Sequence, residues 1–331
     1  MPQPSYAYAV ARLRVLEARL LPREKLMQIV DAQDAAEALR ILVEGGIGGA
    51  LQVASAHEYE ALLREDLLET RELIRAITPE PQTTARFFYQ YDCQNLKILF
   101  KLRALGRDGG EEMLSPLGEI APEELARKVR EKDYKELPGP IAQGCAVIEN
   151  MLLEAAVDPQ RLSAILDRAY FATALEGLKK GFLRDYFTAW IDLINIRTVL
   201  RLRRAGGDRA ALEQLTIPGG GESEQTLVRA LEESDEGLIQ LWQFRPFGPV
   251  VVGGIEDLQQ TGTLAGYERA MDDYLMALAR EGKGELMSIR PILGYWLAKE
   301  SQNRQLRQIM IGKLNGIAPD AIRERLRETY G

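Results

Sequence analysis

The sequence predicts an all-α protein built from three similar helical bundles. Apolar residues recur at helical spacing through most of the 331 residues, and one twelve-residue pattern closing in glycine occurs three times. The strand signal is limited to one β-branched run, Val250-Val251-Val252, between Pro249 and Gly253. We expect that run to form a short extended loop rather than a sheet.

The repeated pattern reads amide, aliphatic residue, cation, any residue, two apolar residues, a second cation near the end and a closing glycine. It covers residues 95–106, 195–206 and 305–316. In the central copy, Ile196, Val199 and Leu200 lie at i, i+3 and i+4, which is one face of a helix. A cation in the last turn followed by glycine is a typical helix end. The pattern therefore predicts three equivalent motif helices.

The other elements follow from the same spacing and from breaks at glycine and proline. Helices are expected over residues 6–20, 23–44, 56–77, 83–105, 141–156 and 159–204, and others open near residues 120, 223, 256 and 317. Ser5 suits the N-cap of the first helix. Pro122 and Pro159 stand in the first turn of their helices, where a missing N–H has little effect.

Proline positions support a long repeat. Prolines follow the first helix and the three motif helices at positions 22, 122, 218 and 319. Their spacing of about 100 residues is too long for solenoid units of 20–50 residues. We therefore predict three domains that each hold a core, over residues 1–115, 116–218 and 219–331.

Composition excludes several classes of function. The net charge of −7 and the pI near 5.2 disfavour binding to nucleic acid or to anionic lipid, which attract basic surfaces. No apolar run approaches the ~18 residues of a membrane span, and the first residues lack a signal-peptide pattern. We expect neither a nucleic-acid partner nor direct membrane insertion.

The sequence offers no catalytic or metal-binding set. His57 is the single histidine, which removes histidine metal clusters and argues against a catalytic triad. We expect His57 at the surface or as a capping residue. Cys93 and Cys145 are expected to be buried free thiols. We therefore predict no catalytic residue, no metal and no cofactor.

Three stretches come close to known motifs. Residues 312–314 (Gly-Lys-Leu) lack the hydroxyl residue and upstream glycine of a phosphate-binding loop, and residues 251–256 lack the G-x-G-x-x-G spacing. Asp272 and Asp273 are similar to the paired acids of all-α prenyl-transferring enzymes, but Met276 stands where a third acid is needed. An all-α lyase or transferase therefore ranks third, behind the two functions given at the end of this section.

The motif cations are the candidate partner-binding residues. One repeat position holds Lys97, Arg197 and Arg307, and another holds Arg103, Arg203 and Lys313. They can stabilise helix ends and pair with acids of neighbouring helices. They can also gather around a pseudo-threefold axis and bind an acidic partner. Both alternatives stay open at this point.

Several runs carry a resemblance to a known family. They are Tyr8-Ala-Val-Ala-Arg-Leu-Arg-Val-Leu-Glu17, Asn195-Ile-Arg197, Gly294-Tyr-Trp-Leu-Ala-Lys-Glu300, Leu306-Arg-Gln-Ile309, Gly312-Lys-Leu-Asn-Gly316 and Ile322-Arg-Glu-Arg-Leu326. Together they resemble the C subunits of the A/V-type rotary ATPases, whose eukaryotic counterpart is the d subunit of the vacuolar proton pump. The resemblance covers essentially the whole chain. It is weakest in the first repeat, where Asn95-Leu96-Lys97 replaces the usual Asn-aliphatic-Arg.

The resemblance implies three similar helical domains arranged like a funnel with pseudo-threefold symmetry. It also implies a non-catalytic part of the rotor on the cytoplasmic face of the membrane. Its partners would be the shaft subunits of the central stalk and the membrane proteolipid ring. The alternative is a soluble all-α scaffold or interaction protein unrelated to rotation.

Overall fold

The computed structural model describes residues 5–107, 109–154, 157–324 and 326–327. These residues form α-helices and two short 3₁₀ helices, with no strand among them, so the predicted all-α class is confirmed. The helices are α1 (Tyr6–Glu17), α2 (Arg23–Asp31), α3 (Ala35–Glu44), α4 (Tyr59–Ile77), α5 (Pro81–Ala104), α6 (Pro122–Glu131), α7 (Gly139–Met151), α8 (Pro159–Leu175), α9 (Phe182–Ala205), α10 (Arg209–Leu215), α11 (Glu224–Glu232), α12 (Asp235–Trp242), α13 (Gly248–Thr261), α14 (Ala265–Glu281), α15 (Arg290–Leu314) and α16 (Pro319–Arg323). The 3₁₀ helices are Ala56–Glu58 and Glu111–Met113.

Some predicted helices are shorter than expected. The segment 23–44 forms two helices, because the backbone turns extended at Ala32 (ψ of 144°) and Asp34 then caps the second helix by accepting a 2.8 Å hydrogen bond from the Glu37 amide. The helix expected over 141–156 ends at Met151. Residues 155 and 156 of the expected helix lie outside the described part of the chain. Residues 1–4, on which the expected lack of a signal peptide partly rests, also lie outside it.

The single long helix expected over 159–204 is wrong, because α8 and α9 are separate there. Gly177 has φ of 67°, in the left-handed region that glycine adopts without strain. The Arg86 guanidinium donates to the carbonyl oxygens of Ala174 at 2.7 Å and Glu176 at 2.8 Å. It thus occupies acceptors that a helix leaves free at its carboxyl end.

The extended loop expected at Val250-Val251-Val252 is also wrong, because these residues lie in α13. Pro249 occupies the first turn of the helix, where proline is well tolerated. Val250 and Val251 are buried. Burial of their side chains outweighs the weak preference of β-branched residues for strands.

The chain divides into two compact units, one comprising Met1–Thr84 and Met276–Gly331 and the other comprising Ala85–Leu275. The boundaries fall inside α5 and α14. The predicted division into three domains over residues 1–115, 116–218 and 219–331 stays a prediction.

The first unit joins the two ends of the chain. Helix α15 packs on α1, α2, α3 and α4, and Leu306 and Ile309 of α15 share a buried core with Leu42 and Leu62. The side-chain amide of Asn303 donates to the Leu63 carbonyl at 2.7 Å. A helix from the carboxyl end therefore completes the bundle that the amino end begins.

The second unit contains an aromatic cluster contributed by α5, α8 and α9. The rings of Phe87 and Phe187 stack with centroids 5.1 Å apart. Phe171 meets Trp190 edge-on at 5.2 Å, and Tyr186 packs edge-on against Phe187. Such offset and edge-on pairs add stabilisation beyond the area that the rings bury.

Helix α14 contributes a buried tyrosine to the second unit. The Tyr267 hydroxyl donates to the Leu193 carbonyl of α9 at 2.8 Å. Its ring lies so close to α13 that a Cβ on Gly254 would stand 2.5 Å from the ring carbon Cδ2. Burial raises the pKa of Tyr267 above its ordinary value of 10.0, and the nearby Arg197 offsets this only in part.

Within the described residues, none of the helices is both long enough and apolar enough to cross a bilayer.

The buried face of α9 provides a test of the predicted core. Leu200 is 2% exposed, so Leu200→Ala is expected to lower the free energy of unfolding by roughly 2–5 kcal/mol through lost burial and a residual cavity. Leu105→Ala is the control, because Leu105 directly follows the first motif helix and is 69% exposed. Denaturant unfolding measures both, and equal losses would contradict the assigned face.

The buried tyrosine provides a test at alkaline pH. An unfolded chain ionises Tyr267 near pH 10.0, whereas the folded chain keeps its proton. The free energy of unfolding therefore falls as pH rises above that value. Tyr267→Phe costs about 1 kcal/mol at neutral pH. Its deficit relative to the natural protein is expected to shrink above pH 10 by up to about 1.4 kcal/mol per pH unit. A deficit that is constant between neutral and alkaline pH would show that the hydroxyl is solvated; Tyr8→Phe, on the exposed side of α1, is the control.

Candidate functional site

The three motif helices are α5, α9 and α15. The glycines that close them, Gly106, Gly206 and Gly316, have φ of 64°, 68° and 65°. This left-handed conformation ends a helix and favours glycine. The helix ends predicted from the repeated pattern are therefore confirmed at all three places.

The first cation of each motif helix pairs with a carboxylate on another helix of the same unit. The pairs are Lys97 with Asp167 at 2.5 Å, Arg197 with Glu268 at 3.6 Å, and Arg307 with Glu60 at 2.7 Å. The carboxylates belong to α8, α14 and α4. Three equivalent cations thus each tie a motif helix to a second helix.

The pair on α15 has the strongest geometry. Arg307 donates through two nitrogens to the two oxygens of Glu60, at 2.7 and 2.9 Å. Burial opposes ionisation of Glu60, but the hydrogen bonds and charge of Arg307 outweigh it and lower the pKa of that carboxyl. A bidentate pair of this kind fixes orientation as well as distance.

The central pair is more buried. Burial, followed by the charge of Arg201, lowers the pKa of Arg197, and Glu268 opposes this. An arginine stays charged at neutral pH even so. Glu268 also accepts from Arg201 at 2.5 Å, so one carboxylate serves two cations of α9.

The second cation of each motif helix binds the carboxyl end of a different helix. Arg103 donates to the Val129 carbonyl at 3.3 Å, Arg203 to the Ala230 carbonyl at 3.2 Å, and Lys313 to the Ala32 carbonyl at 2.5 Å. These carbonyls lie at the ends of α6, α11 and α2, where the helix dipole is negative and a cation is stabilising. Arg103 also forms a bidentate pair with Glu149 at 2.6 and 3.0 Å.

All six motif cations therefore have partners within the chain. The structure brings each of them to a carboxylate or a helix end, as the intramolecular alternative predicted. Their additional binding to an acidic partner stays a prediction.

A second recurring feature, which was not predicted, is a clamp formed by an aspartate and an asparagine three residues apart. In α5, Asn95 exchanges two hydrogen bonds of 2.8 Å with the backbone N–H and C=O of Ser115. One turn earlier, Asp92 accepts from the amides of Glu119 and Ile120 at 2.9 and 3.1 Å. The clamp holds the segment that leads into α6.

The same clamp occurs in α9. Asn195 exchanges two hydrogen bonds of 2.9 Å with the backbone of Ile217, and Asp192 accepts from the amides of Gly221 and Glu222 at 3.0 and 2.9 Å. Burial raises the pKa of Asp192, and these amides offset the effect in part. The spacing Asp-x-x-Asn, present at 92–95 and 192–195, was the available signal.

The third motif helix has a weaker clamp. In this helix the clamp positions hold Gln302 and Gln305. Their sequence offsets from Arg307 match those of Asp192 and Asn195 from Arg197. Gln302 Oε1 accepts from the Leu21 amide at 2.7 Å. Among the described residues, the buried atoms Gln302 Nε2 and Gln305 Oε1 have no hydrogen-bond partner.

The structure also places the histidine and the two cysteines that the sequence singled out. His57 is exposed in the 3₁₀ helix Ala56–Glu58, which confirms its surface position, and Cys93 and Cys145 are free and buried as predicted. In the part of the chain that the structure describes, no three or more acidic, histidine or cysteine side chains group as metal ligands.

The clamps of α9 and α15 can be compared by substitutions that nearly preserve side-chain shape. Asn195→Leu leaves the buried N–H and C=O of Ile217 unpaired and is expected to cost about 2–4 kcal/mol of unfolding free energy. Gln305→Met removes a buried oxygen that has no partner, so its stability should stay within about 1 kcal/mol of the natural protein or rise. Denaturant unfolding of both variants decides the matter; equal losses would mean that Gln305 is satisfied in solution.

Comparison with known proteins places the chain in a family. The family described as ATP synthase (C/AC39) subunit matches residues 9–325. The C subunit of the A-type ATP synthase of Methanocaldococcus jannaschii is 24% identical, with 97% of this chain and 86% of that protein aligned. The C subunit of the V-type ATP synthase of Thermus thermophilus is 27% identical over 91% of this chain and 92% of that protein. Its A-type counterpart in Haloferax volcanii is 29% identical over 73% of this chain and 72% of that protein. Because the family match spans nearly the whole sequence, the chain belongs to the ATP synthase (C/AC39) subunit family.

Proposed function

We propose that this chain is the non-catalytic C subunit of an A/V-type rotary ATPase. In this role it acts as the adaptor that receives the central stalk shaft and couples it to the membrane proteolipid ring. The family match over residues 9–325 carries the proposal, and the relatives named above are the C subunits of A-type and V-type ATP synthases. On this proposal the chain works at the cytoplasmic face of the membrane.

The internal contacts suit a part that transmits torque. The ends of a chain are poorly ordered unless contacts hold them to the rest of the domain. Here α15 is tied to α4 by Arg307–Glu60 and by Lys299–Asp66, which is 2.6 Å long. Helices from the two ends of the chain therefore hold each other.

We also propose that the chain is a closed set of three repeats, each organised around one motif helix. In support, the first cation of α5, α9 and α15 pairs with a carboxylate in each case, and the second cation binds the carboxyl end of another helix. The first two of these helices bind segments that follow them in sequence, whereas α15 binds segments from the amino end. A superposition of the three helix sets in an experimental structure tests this arrangement.

The alternative is a soluble helical scaffold without a role in rotation. Purification of the tagged chain from gently solubilised membranes distinguishes the two. Co-purification with both shaft subunits and proteolipid in fixed stoichiometry is expected for the adaptor. Recovery without proteolipid, under conditions that keep the rest of the rotary complex together, would favour the scaffold.

The paired cations predict how a triple substitution behaves. Lys97, Arg197 and Arg307, all changed to Gln, lose three ion pairs that are partly buried. We expect a loss of about 2 kcal/mol in all, or roughly 4–8 °C in melting temperature. Binding to the shaft subunits should be normal below the new melting temperature, with an unchanged salt dependence.

The control changes Lys135, Arg204 and Arg304 to Gln. These cations are exposed, so the control removes the same charge without breaking the pairs of the motif helices. It should melt close to the natural protein. If instead the first triple variant melts normally but loses shaft binding in a salt-dependent way, the motif cations face the shaft.

A further inference from the structure

A cleft of about 570 Å³ lies within the unit formed by the two ends of the chain. It is lined by the segment that follows α1, by the carboxyl end of α3, and by residues of α4 and α15. Its volume is in the range of pockets that bind small molecules or single side chains, roughly 300–1,000 Å³. The motif cations do not line it.

A buried carboxylate with one unsatisfied oxygen lines this cleft. The Asp66 side chain is 9% exposed, and its Oδ1 accepts from Lys299 Nζ at 2.6 Å. Among the described residues, its other oxygen, Oδ2, is buried without a hydrogen-bond partner. Nearly all buried polar atoms in proteins have such a partner, so Asp66 Oδ2 lacks a donor.

Two further carboxylates line the cleft, together with the cations Arg19, Lys25 and Lys299. The carboxylates are Glu69, one turn along α4, and Glu44, at the end of α3. The carboxyl end of α3 adds the partial negative charge of its dipole. Burial raises the pKa of Asp66 although Lys299 opposes the effect, so one lysine does not fully compensate the buried charge.

The chain's own cations leave that oxygen unpaired. Arg19 and Lys25 line the cleft as well, but Lys299 is the only cation within 4.0 Å of Asp66 in the described part of the chain. A donor for Asp66 Oδ2 therefore enters from outside or is a lining side chain that moves, namely Arg19, Lys25 or the Tyr295 hydroxyl. Substitution of each of the three separates these cases.

We propose that the cleft binds a basic group, a guanidinium or an alkylammonium, that donates to Asp66 Oδ2 and is held by Glu69. Both kinds of group carry several N–H donors and a positive charge, so one group can satisfy two carboxylates. The group is either an arginine or lysine side chain of a partner protein or a free polyamine. This proposal goes beyond the adaptor role and does not depend on it.

Titration of the full chain with n-propylguanidinium chloride tests the shared chemistry. Calorimetry at constant ionic strength should show saturable binding at a single site. Tetramethylammonium chloride carries the same charge without an N–H donor, and should not bind. Equal binding of the two salts, or no saturable binding of the guanidinium, would overturn the proposal.

Substitutions locate the site. Glu69→Gln should weaken propylguanidinium binding about tenfold, the effect of one charge-assisted hydrogen bond. Asp66→Asn should abolish binding; its helicity and melting temperature are checked, because Lys299 loses its carboxylate. Glu72→Gln, exposed on α4 and outside the cleft, should bind normally. Binding that survives both Glu69→Gln and Asp66→Asn would place the probe elsewhere and refute the site.

Two further arms complete the test. If spermidine binds at least tenfold more tightly than propylguanidinium, and Asp66→Asn removes that binding, the natural ligand is a free polyamine. Equal or weaker spermidine binding identifies a protein side chain. If Arg19→Gln, Lys25→Gln or Tyr295→Phe lowers the melting temperature as much as Asp66→Asn does, that side chain supplies the donor itself and the proposal is wrong.

Discussion

Satisfaction of buried polar groups along the motif helices is the constraint on which the rest of the structure depends. Asn95 and Asn195 are almost fully buried, and each donates one hydrogen bond to, and accepts one from, the backbone of a single residue in the following segment. Buried backbone groups without partners are costly. The segments that lead into α6 and α11 can therefore be buried only where these side chains reach them, and the position of each following helix follows from the clamp.

The first unit solves the same problem with less hydrogen bonding. Its motif helix α15 meets segments from the other end of the chain, and its glutamines supply a single bond to Leu21. The buried Lys299–Asp66 pair adds little net stability, because the desolvation of both charges opposes their attraction. Removal of either partner would nevertheless leave an unpaired buried charge, so the pair selects one register of α15 on α4. Asp66, whose Oδ2 has no partner among the described residues, lines the cleft of this unit. Gln302 and Gln305, each of which also has a buried atom without a partner in the described part of the chain, lie on α15, one of the helices that form the cleft.

Membership of the ATP synthase (C/AC39) subunit family gives these contacts a functional setting. The role proposed above, an adaptor between a shaft and a ring, requires a stiff body more than it requires chemistry. The equivalent cations of the motif helices act inside that body, as pairs with carboxylates and as caps on helix ends. Their binding to an acidic partner stays a prediction, and the proposed binding of a basic group in the cleft is consistent with the net charge of −7.

The sequence alone determined what depends on neighbouring residues: the all-α class, the three motif helices, the glycines that end them and the buried face of Leu200. Tertiary structure decided the rest, because the deciding partners are distant in sequence. Arg86 ends α8 from 88 residues away, and burial made a helix of the β-branched run at residues 250–252. Lys97 and Arg307 were recognisable as equivalent, but their carboxylates lie 70 and 247 residues away. No local pattern specifies such partners; the packing of the helices brings them together.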